Sequence, residues 1–308
     1  ARQIARAFDK LKLDYPRTEK TKEPSFTQNW LINNKNKIAQ LIVSAREVNK
    51  FYGTFLSSIM KYQVKGRIHG EINQLRGDNG GTVSGRLSMS NPNLQQVPAR
   101  NKDFGPKIRS LFIPEEGFKW GSFDYSQQEP RMTVHYAASI GDGYEGSNEL
   151  VEAYQNASAD FHQTVADLVG IERTQAKTIG LGLMYGMGKN KLAISLGVSK
   201  DEADELIVKY NKKVPFVKKL SDRCKYAADE KGVIRTKKGR KCRFDLWETR
   251  DFGLHIAEKY EDAVAKYGKD NIKRAYTYKA LNRLIQGSSA DQTKQSMLDC
   301  YKAGHLPM

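Results

Sequence analysis

The chain has 308 residues, of which 39% are hydrophobic and 28% charged, a composition typical of a folded globular protein of about two domains. Its 51 lysines and arginines exceed its 35 aspartates and glutamates, and the formal charge of +16 favours a polyanionic partner such as nucleic acid. No apolar run approaches the roughly 20 residues of a membrane span and no signal segment is evident, so we expect no membrane partner and a cytoplasmic protein. Three isolated cysteines and five scattered histidines argue against a disulfide framework and a zinc site.

The apolar and turn-forming residues predict a definite order of helices and strands. We expect a basic helix and loop over residues 1–22, helices over 28–62, short strands and an irregular loop over 67–98, strands over 108–124, mainly helices over 126–232, a basic hairpin over 233–245 and helices over 255–300. No internal repeat and no low-complexity segment interrupts this order.

A carboxylate follows the strands predicted over residues 108–124. Asp124 closes the strand-like segment Gly121-Ser122-Phe123, and Ser126 followed by Glu129 has the spacing of a capping box, so we expect a helix to begin here. A carboxylate at a rigid strand end is well placed to hold Mg²⁺, which prefers carboxylates together with substrate phosphates. The alternative is a capped helix beside a solvated aspartate.

Four residues spaced four apart form a stripe on one predicted helix. Arg173 and Lys177 supply two cations one turn apart, and Leu181 and Tyr185 continue the stripe with flatter surfaces. Such a face suits a nucleotide, because the cations can bind a triphosphate while the other groups pack on sugar and base. The alternative is an amphipathic helix with an exposed basic end. Glycine, a poor helix former, recurs at positions 180, 182, 186 and 188 and indicates close approach by another group.

Two polar segments stand out in the sequence, and the first of them offers hydrogen-bond donors to nucleic acid. Ser84-Gly85-Arg86-Leu87-Ser88, with Asn91-Pro92-Asn93-Leu94-Gln95 after it, places an arginine in a Gly/Ser loop beside several amides. Further along, Asn282 and Gln286 are four apart and share a helix face, and the small residues that follow let a partner approach closely. The alternatives are a capped turn for the first segment and an ordinary helix–helix contact for the second.

An ATPase of the P-loop class is disfavoured. Gly186-Met187-Gly188-Lys189 does not fit the phosphate-binding pattern, since Leu183 stands where the motif needs glycine and Asn190 replaces serine or threonine.

Together the order and spacing of these motifs resemble those of family A DNA polymerases, the group that includes bacterial DNA polymerase I and many phage replicases. Residues 124–131 resemble motif A, and the stripe from Arg173 to Gly186 resembles motif B on the fingers helix. Residues 84–95 resemble the primer–template loop, and residues 286–291 resemble the stretch before motif C. The resemblance runs from about residue 19 to the last residue.

This resemblance implies an α+β fold with right-hand polymerase architecture, an antiparallel palm sheet, mainly helical fingers and a thumb that is largely missing. The implied divisions are a thumb base over residues 1–66, a first palm part with motif A over 67–143, fingers with motif B over 144–265, and a second palm part before motif C over 266–308. The implied reaction is template-directed DNA synthesis, with nucleotidyl transfer from a dNTP to the 3′-OH of a primer in a bacterial or phage-infected cell.

The resemblance also implies a role for each matched residue. Asp124 would bind both catalytic Mg²⁺ ions, together with the backbone of Tyr125, and Glu129 would exclude a ribose 2′-OH. Other implied catalytic and substrate contacts are Arg173 and Lys177 on the triphosphate, His162 assisting them, Tyr185 at the templating base, and Tyr125, Gln127 and Leu181. The implied DNA contacts are Arg86, Asn282 and Gln286 in the minor groove, Asn93 and Gln95 in the primer–template loop, and Arg240 on the template backbone.

Three residues depart from the family pattern. Leu181 stands where the family usually has an aromatic ring, which leaves discrimination against dideoxynucleotides open. Gly180 precedes it and should loosen the helix. Pro130 replaces an aliphatic residue, which is tolerable early in a helix because few backbone hydrogen bonds are lost there.

The His-Asp-Glu sequence of motif C does not occur in the chain. A two-metal mechanism needs carboxylates that clamp two ions about 3.5–4 Å apart. We therefore expect the chain alone to be weak or inactive, and to need a C-terminal segment or partner chain that carries motif C. Two alternatives are a DNA-binding remnant without catalysis and a single-subunit RNA polymerase, although Glu129 speaks against the latter.

Overall fold

The computed structural model describes residues 1–19, 21–75, 80–98, 101–155, 160–251, 253 and 255–305. The chain forms two compact units, Ala1–Ile72 with Met89–Trp120 and Asn73–Ser88 with Gly121–Met308. Among the helices described, none combines the length and the apolar character that crossing a membrane requires.

Helices account for most of the regular structure. They are α1 (Arg2–Lys10), α2 (Gln28–Asn33), α3 (Lys37–Lys50), a π-helical segment (Phe51–Leu56), α4 (Ser57–Tyr62), α5 (Gly105–Arg109), α6 (Gln128–Ala138), α7 (Ser147–Gln155), α8 (Phe161–Val169), α9 (Arg173–Met184), α10 (Lys189–Leu196), α11 (Lys200–Lys213), α12 (Pro215–Lys231), α13 (Tyr260–Tyr267) and α14 (Ala280–Lys302). Short 3₁₀ turns cover Leu94–Gln96, Lys269–Asn271 and Thr277–Lys279.

The strands are short and pair two by two. They are β1 (Gln63–Val64), β2 (Arg67–Ile68), β3 (Glu71–Asn73), β4 (Ser88–Ser90), β5 (Val233–Arg235), β6 (Lys241–Arg243), β7 (Trp247–Thr249) and β8 (Ile272–Arg274), which pair as β1–β2, β3–β4, β5–β6 and β7–β8. The β5–β6 hairpin is antiparallel and confirms the basic hairpin predicted over residues 233–245. The residues described form no larger sheet, so the expected antiparallel palm sheet stays a prediction.

The first unit has two small apolar clusters. In one, α1 packs on α2 and α3, and the buried ring of Phe8 lies 5.2 Å from that of Phe26 between centroids. In the other, the π-helical segment packs on α5, and Phe51 stacks on Phe104 at 4.5 Å. The helices predicted over residues 28–62 are confirmed as α2, α3, the π-helical segment and α4, with a short break between α2 and α3.

The second unit is built around one larger core, to which α9 contributes one face. Ala176, Ile179 and Met184 recur at helical spacing on the buried face of α9. Gly180 lies on the same face under Tyr210 of α11, where a Cβ atom would stand 3.3 Å from the tyrosine hydroxyl. The predicted close approach is confirmed at Gly180, Gly182 and Gly186, but it is wrong at Gly188, where a Cβ atom would meet nothing within 4 Å. Helix α9 continues through Gly180 without a break, so the loosening expected there stays a prediction.

The strands predicted over residues 108–124 are wrong. The chain is helical up to Arg109 in α5, which has Pro106 in its first turn, and no strand is formed from residue 111 to 125. Apolar side chains such as Ile113 and Phe118 lie exposed in this segment. An apolar run becomes a strand only where a neighbour takes up the backbone hydrogen bonds, and no described strand does so here.

Two predicted features of the helices also need correction. Helix α6 begins at Gln128 after Gln127, whose φ is 53°, and neither Ser126 nor Glu129 forms the expected capping box. The Glu129 side chain turns to tertiary partners instead. The helix predicted over residues 255–300 is interrupted by β8, so that region holds two separate helices.

Candidate functional site

Helix α9 carries the predicted stripe from one end to the other. Arg173 begins the helix and Lys177 follows one turn later, and both side chains are exposed. Leu181 and Tyr185 are partly buried, and Tyr185 stands at the C-terminal end of the helix. The two cations therefore reach solvent, while the other end of the stripe faces the rest of the second unit.

Arg173 is held by an acidic residue that the sequence analysis missed. The Asp160 carboxylate accepts hydrogen bonds from Nε and Nη2 of Arg173, at 2.9 and 2.6 Å. It also caps α8, accepting from the backbone N–H of His162 at 2.9 Å. Burial raises the pKa of Asp160, but these hydrogen bonds outweigh it and hold the pKa below the usual value. An aspartate directly before a helix is a capping signal, and that pattern would have identified it.

His162 lies beside the Asp160–Arg173 pair. Its side chain is buried, and Nδ1 has no hydrogen-bond partner among the residues that the structure describes. Burial lowers the pKa of His162, Asp160 opposes this shift, and the charges of Lys177 and Arg173 add to it. The imidazole is therefore neutral near pH 7. The structure thus brings together the three residues predicted to meet the triphosphate.

Glu129 lies at the centre of a second cluster. One carboxylate oxygen pairs with the Arg86 guanidinium, and the other accepts from the Tyr185 hydroxyl. The Glu129 side chain is only 13% exposed, whereas that of Arg86 is 49% exposed. Three motifs that lie far apart in the sequence therefore meet at one carboxylate.

The surroundings of this cluster also shift the pKa of Tyr185. Burial raises the pKa of Tyr185, and the hydrogen bond and charge of Glu129 raise it as well. Against the opposing effects of a hydrogen bond from Gln286 and the charge of Arg86, the pKa reaches about 12. The hydroxyl thus stays protonated and bridges Glu129 on α6 to Gln286 on α14. Gln286, for which the resemblance implies a DNA contact, joins the cluster at its edge.

Asp124 differs from Glu129 in exposure and in contacts. Its side chain is exposed, and within the described chain nothing hydrogen-bonds or ion-pairs with it. The preceding residue, Phe123, is 98% exposed. The following residue, Tyr125, is anchored by a hydrogen bond between its hydroxyl and that of Ser296 on α14. An open cavity of about 530 Å³ adjoins Tyr125 between α6, α14 and the β5–β6 hairpin.

The metal site predicted at Asp124 is only partly represented. The carboxylate is accessible and has the oxygen chemistry that Mg²⁺ prefers. However, the described residues hold no group of three or more histidine, cysteine, aspartate or glutamate side chains that could bind a metal ion. These residues therefore fit one ligand of a metal site rather than a complete set.

Gln127, predicted to contact substrate, is engaged by the protein. Its side-chain oxygen accepts from the backbone N–H of Phe161 at 2.9 Å and from the Tyr154 hydroxyl at 3.4 Å. It therefore links the start of α6 to α7 and α8. The substrate contact stays a prediction.

The predicted DNA contacts occupy both units. Asn93 and Gln95 lie in the first unit, where the Asn93 side chain accepts from the Gln95 backbone N–H at 3.1 Å and forms a turn. Asn282 lies half-buried on α14, one turn before Gln286. Arg240, in the β5–β6 hairpin, donates from Nε to Asp291 at 2.7 Å. None of these contacts tests DNA binding, which stays a prediction for all of them.

Comparison with known proteins identifies the family. The sequence profile of DNA polymerase family A matches residues 2–306. The chain therefore belongs to DNA polymerase family A, and the resemblance inferred from its motifs is confirmed.

Relatives come from phages and from bacteria. The chain is 37% identical to a DNA-directed DNA polymerase of Pseudomonas phage M6, over 98% of this chain and 49% of the relative. It is 30% identical to the DNA polymerase DpoZ of Vibrio phage phiVC8, over 90% of this chain and 43% of the relative. It is 31% identical to DNA polymerase I of Geobacillus stearothermophilus, over 95% of this chain and 31% of the relative. The chain thus spans less than half the length of each of these relatives.

A solved structure shows the same fold. It is described as the POL domain of Pol1 from M. smegmatis in complex with DNA primer-template and dNTP. The TM-score is 0.72 at 24% sequence identity, and the match covers 97% of this chain and 51% of that one. The polymerase fold is therefore shown, while the detailed division into palm and fingers stays a prediction.

Proposed function

We propose that the protein takes part in template-directed DNA synthesis, in which a nucleotidyl group passes from a dNTP to the 3′-OH of a primer. One observation carries this proposal. Helix α9 presents Arg173 and Lys177 to solvent at one end and reaches the Glu129 carboxylate through Tyr185 at the other. A single helix therefore joins a cationic site to a fixed carboxylate in motif A. A nucleotide needs two such sites, a cationic one for its triphosphate and a shaped one for its sugar.

The cationic end would bind the triphosphate. Lys177 is exposed and supplies a point charge, and Arg173 is oriented by Asp160 while nearly half of its side chain remains accessible. The neutral His162 imidazole beside them would assist by a hydrogen bond to a phosphate oxygen. Asp160 thus positions the phosphate-binding arginine before a nucleotide arrives, which reduces the ordering that binding requires.

The other end would select the sugar. Both oxygens of Glu129 are held, by Arg86 and by Tyr185, so the carboxylate is fixed in place. A fixed, largely buried group can exclude an additional hydroxyl, and we propose that Glu129 excludes the ribose 2′-OH. Leu181 would lie near the sugar and Tyr185 near the templating base.

Asp124 and the Tyr125 backbone carbonyl would contribute ligands to two Mg²⁺ ions. Bound at this site, such ions would activate the primer hydroxyl and stabilise the leaving pyrophosphate. This chemistry needs a second carboxylate beside Asp124. We propose, from the resemblance to the family, that a C-terminal segment or a partner chain carrying a His-Asp-Glu sequence supplies it.

Primer-template DNA would be the macromolecular partner. The formal charge of +16 supports binding to a polyanion, and the structural neighbour was solved with primer-template DNA and dNTP. We assign Arg86, Asn282 and Gln286 to the minor groove and Asn93 and Gln95 to the primer–template loop. In this scheme residues 1–66 form the thumb base, 67–143 and 266–308 the palm, and 144–265 the fingers.

Primer extension tests the proposal against its alternatives. The chain, with a His-Asp-Glu segment supplied as a fusion or as a second chain, is given a primer-template with dNTPs or rNTPs. We expect metal-dependent addition of the dNTP that matches the template, and loss of this addition in Asp124→Asn. Preferred use of rNTPs would indicate an RNA polymerase, and DNA binding without any addition would indicate a non-catalytic remnant.

A further inference from the structure

The Arg240 guanidinium lies in a narrow slot between two glycines. A Cβ atom placed on Gly85 would stand 2.7 Å from Cζ of Arg240, and one placed on Gly287 would stand 2.6 Å from Nη2. Both distances are shorter than carbon atoms tolerate without displacement. Neither position can therefore carry a side chain while Arg240 keeps this place.

Polar contacts fix the arginine within the slot. Its Nε donates to Asp291 on α14 at 2.7 Å, and the Asp291 side chain is only 12% exposed. In the hairpin, the Arg240 backbone N–H donates to the Thr236 hydroxyl at 3.1 Å. A largely buried ion pair is weak evidence of net stabilisation, and its better-attested use is to fix one arrangement of the chain. Three segments meet here, namely the β5–β6 hairpin, α14 and the loop before Arg86.

Gly85 directly precedes the arginine that pairs with Glu129. The loop around it is otherwise held by hydrogen bonds of Thr82, whose hydroxyl donates to the Arg86 carbonyl oxygen at 2.9 Å. The flat Arg240 guanidinium lies directly against Gly85, one residue before Arg86. A change at Arg240 would move that backbone and with it the Arg86–Glu129 pair.

We propose that Arg240 is a positioning residue, whose guanidinium, clamped between Gly85 and Gly287 and paired with Asp291, holds Arg86 against Glu129. This role differs from the template contact that the family resemblance implies for Arg240. Its consequence for sugar selection rests on the proposed function of Glu129, whereas the positioning of Arg86 does not.

A double-mutant cycle tests the slot. In an ordinary helix, glycine to alanine is stabilising, but Gly287→Ala should lower the melting temperature by roughly 2–5 °C because its Cβ displaces Arg240. In an Arg240→Ala background the same change should be clearly less destabilising, since the contact at 2.6 Å is gone and the nearest remaining atom is Thr236 Cγ2 at 3.1 Å. The matched control is Gly53→Ala in the π-helical segment, where a Cβ would meet nothing within 4 Å. Equal effects of Gly287→Ala in both backgrounds would overturn the proposal.

Arginine side-chain NMR tests the positioning step without catalysis. With ¹⁵N-labelled arginine, the guanidinium signal of Arg86, assigned through Arg86→Lys, should be protected from exchange in the unmodified chain. It should lose protection in Gly287→Ala and in Arg240→Lys, which keeps the charge but not the planar shape. An unchanged Arg86 signal in either variant would mean that Arg240 only packs locally, and the proposal would be wrong.

DNA binding separates this role from a template contact. The logarithm of primer-template affinity falls linearly with the logarithm of salt concentration, with a slope of about one unit for each phosphate contact. If Arg240 contacted a phosphate, Arg240→Ala would therefore make this slope shallower by about one unit. We expect no such change, and a change of that size would contradict the proposal. Because melting and NMR need no nucleotide addition, failure of the polymerase assay would leave both tests of Arg240 intact.

Discussion

Asp124 and Glu129 lie five residues apart in one motif, yet their surroundings are opposite. Glu129 is largely buried, and both of its oxygens are held, one by Arg86 and one by Tyr185. Asp124 is exposed and has no hydrogen-bond or ion-pair partner in the described part of the chain. The comparison separates two uses of a carboxylate. A group that shapes a pocket has to be fixed by its own protein, whereas a group that receives a cation has to keep its oxygens accessible.

Lys177→Ala should give the largest effect, because it removes a charge from the accessible side of the site. A hydrogen bond to a charged group contributes about 1.5–3 kcal/mol, so we expect a loss in dNTP affinity of roughly 10- to 150-fold. Equilibrium binding of dNTP to the complex with primer-template measures it. Lys219→Ala, at an exposed lysine of α12, is the matched control. An equal loss of DNA affinity would contradict the assignment of Lys177 to the nucleotide.

Glu129→Gln and Asp124→Asn test the comparison itself, since each replaces a carboxylate by a carboxamide. Glu129→Gln leaves Arg86 without its counter-charge, and we expect a loss of about 1–2 kcal/mol in the free energy of unfolding, allowing for the exposure of Arg86. Asp124→Asn removes no contact and should change stability by less than about 0.5 kcal/mol. Chemical denaturation measures the free energy of unfolding of the two variants and of the unmodified chain. Similar losses in both would remove the distinction drawn between the two carboxylates.

A smaller effect is expected from Asp160→Asn, which should change the pH dependence of stability. The pKa of Asp160 is lower when folded than when unfolded, so its ionised form stabilises the protein above the usual aspartate pKa of about 3.9. This contribution, roughly 0.5–1 kcal/mol for a partly exposed pair, is lost as the pH falls through the folded pKa. The melting temperatures of the unmodified chain and of Asp160→Asn should therefore differ at pH 7 and converge as the pH falls to 3. If the difference in melting temperature grew as the pH fell, the pKa of Asp160 would be raised by folding and not lowered.

Local spacing predicted the site better than it predicted the strands. The i, i+4 stripe on α9 is a property of one helix, so the sequence was sufficient to place Arg173, Lys177 and Tyr185 on it. The hairpin around Arg240 was also recognisable from two short β-rich runs around a glycine turn. The family followed from the order of several such local motifs.

The remaining features depend on contacts between distant segments. Ser126 and Glu129 have capping-box spacing, but Glu129 turns to Arg86 and Tyr185, and this tertiary choice is absent from local sequence. Residues 111–124 hold two apolar runs around a Glu-Gly turn, as a pair of strands does, yet no described strand pairs with them. The pairing of Asp160 with Arg173 joins two helices and was not foreseen. The slot around Arg240 likewise depends on two glycines about 200 residues apart.

In the proposed function, α9 and Glu129 together hold a nucleotide chosen by a template. Binding of each of the four dNTPs to the chain with a primer-template whose primer ends in a dideoxynucleotide tests this most directly, because no chemistry and no second carboxylate are needed. We predict that the nucleotide complementary to the template base binds at least about tenfold tighter, roughly 1.4 kcal/mol, than the other three. Equal binding of all four, or no binding at all, would contradict the account.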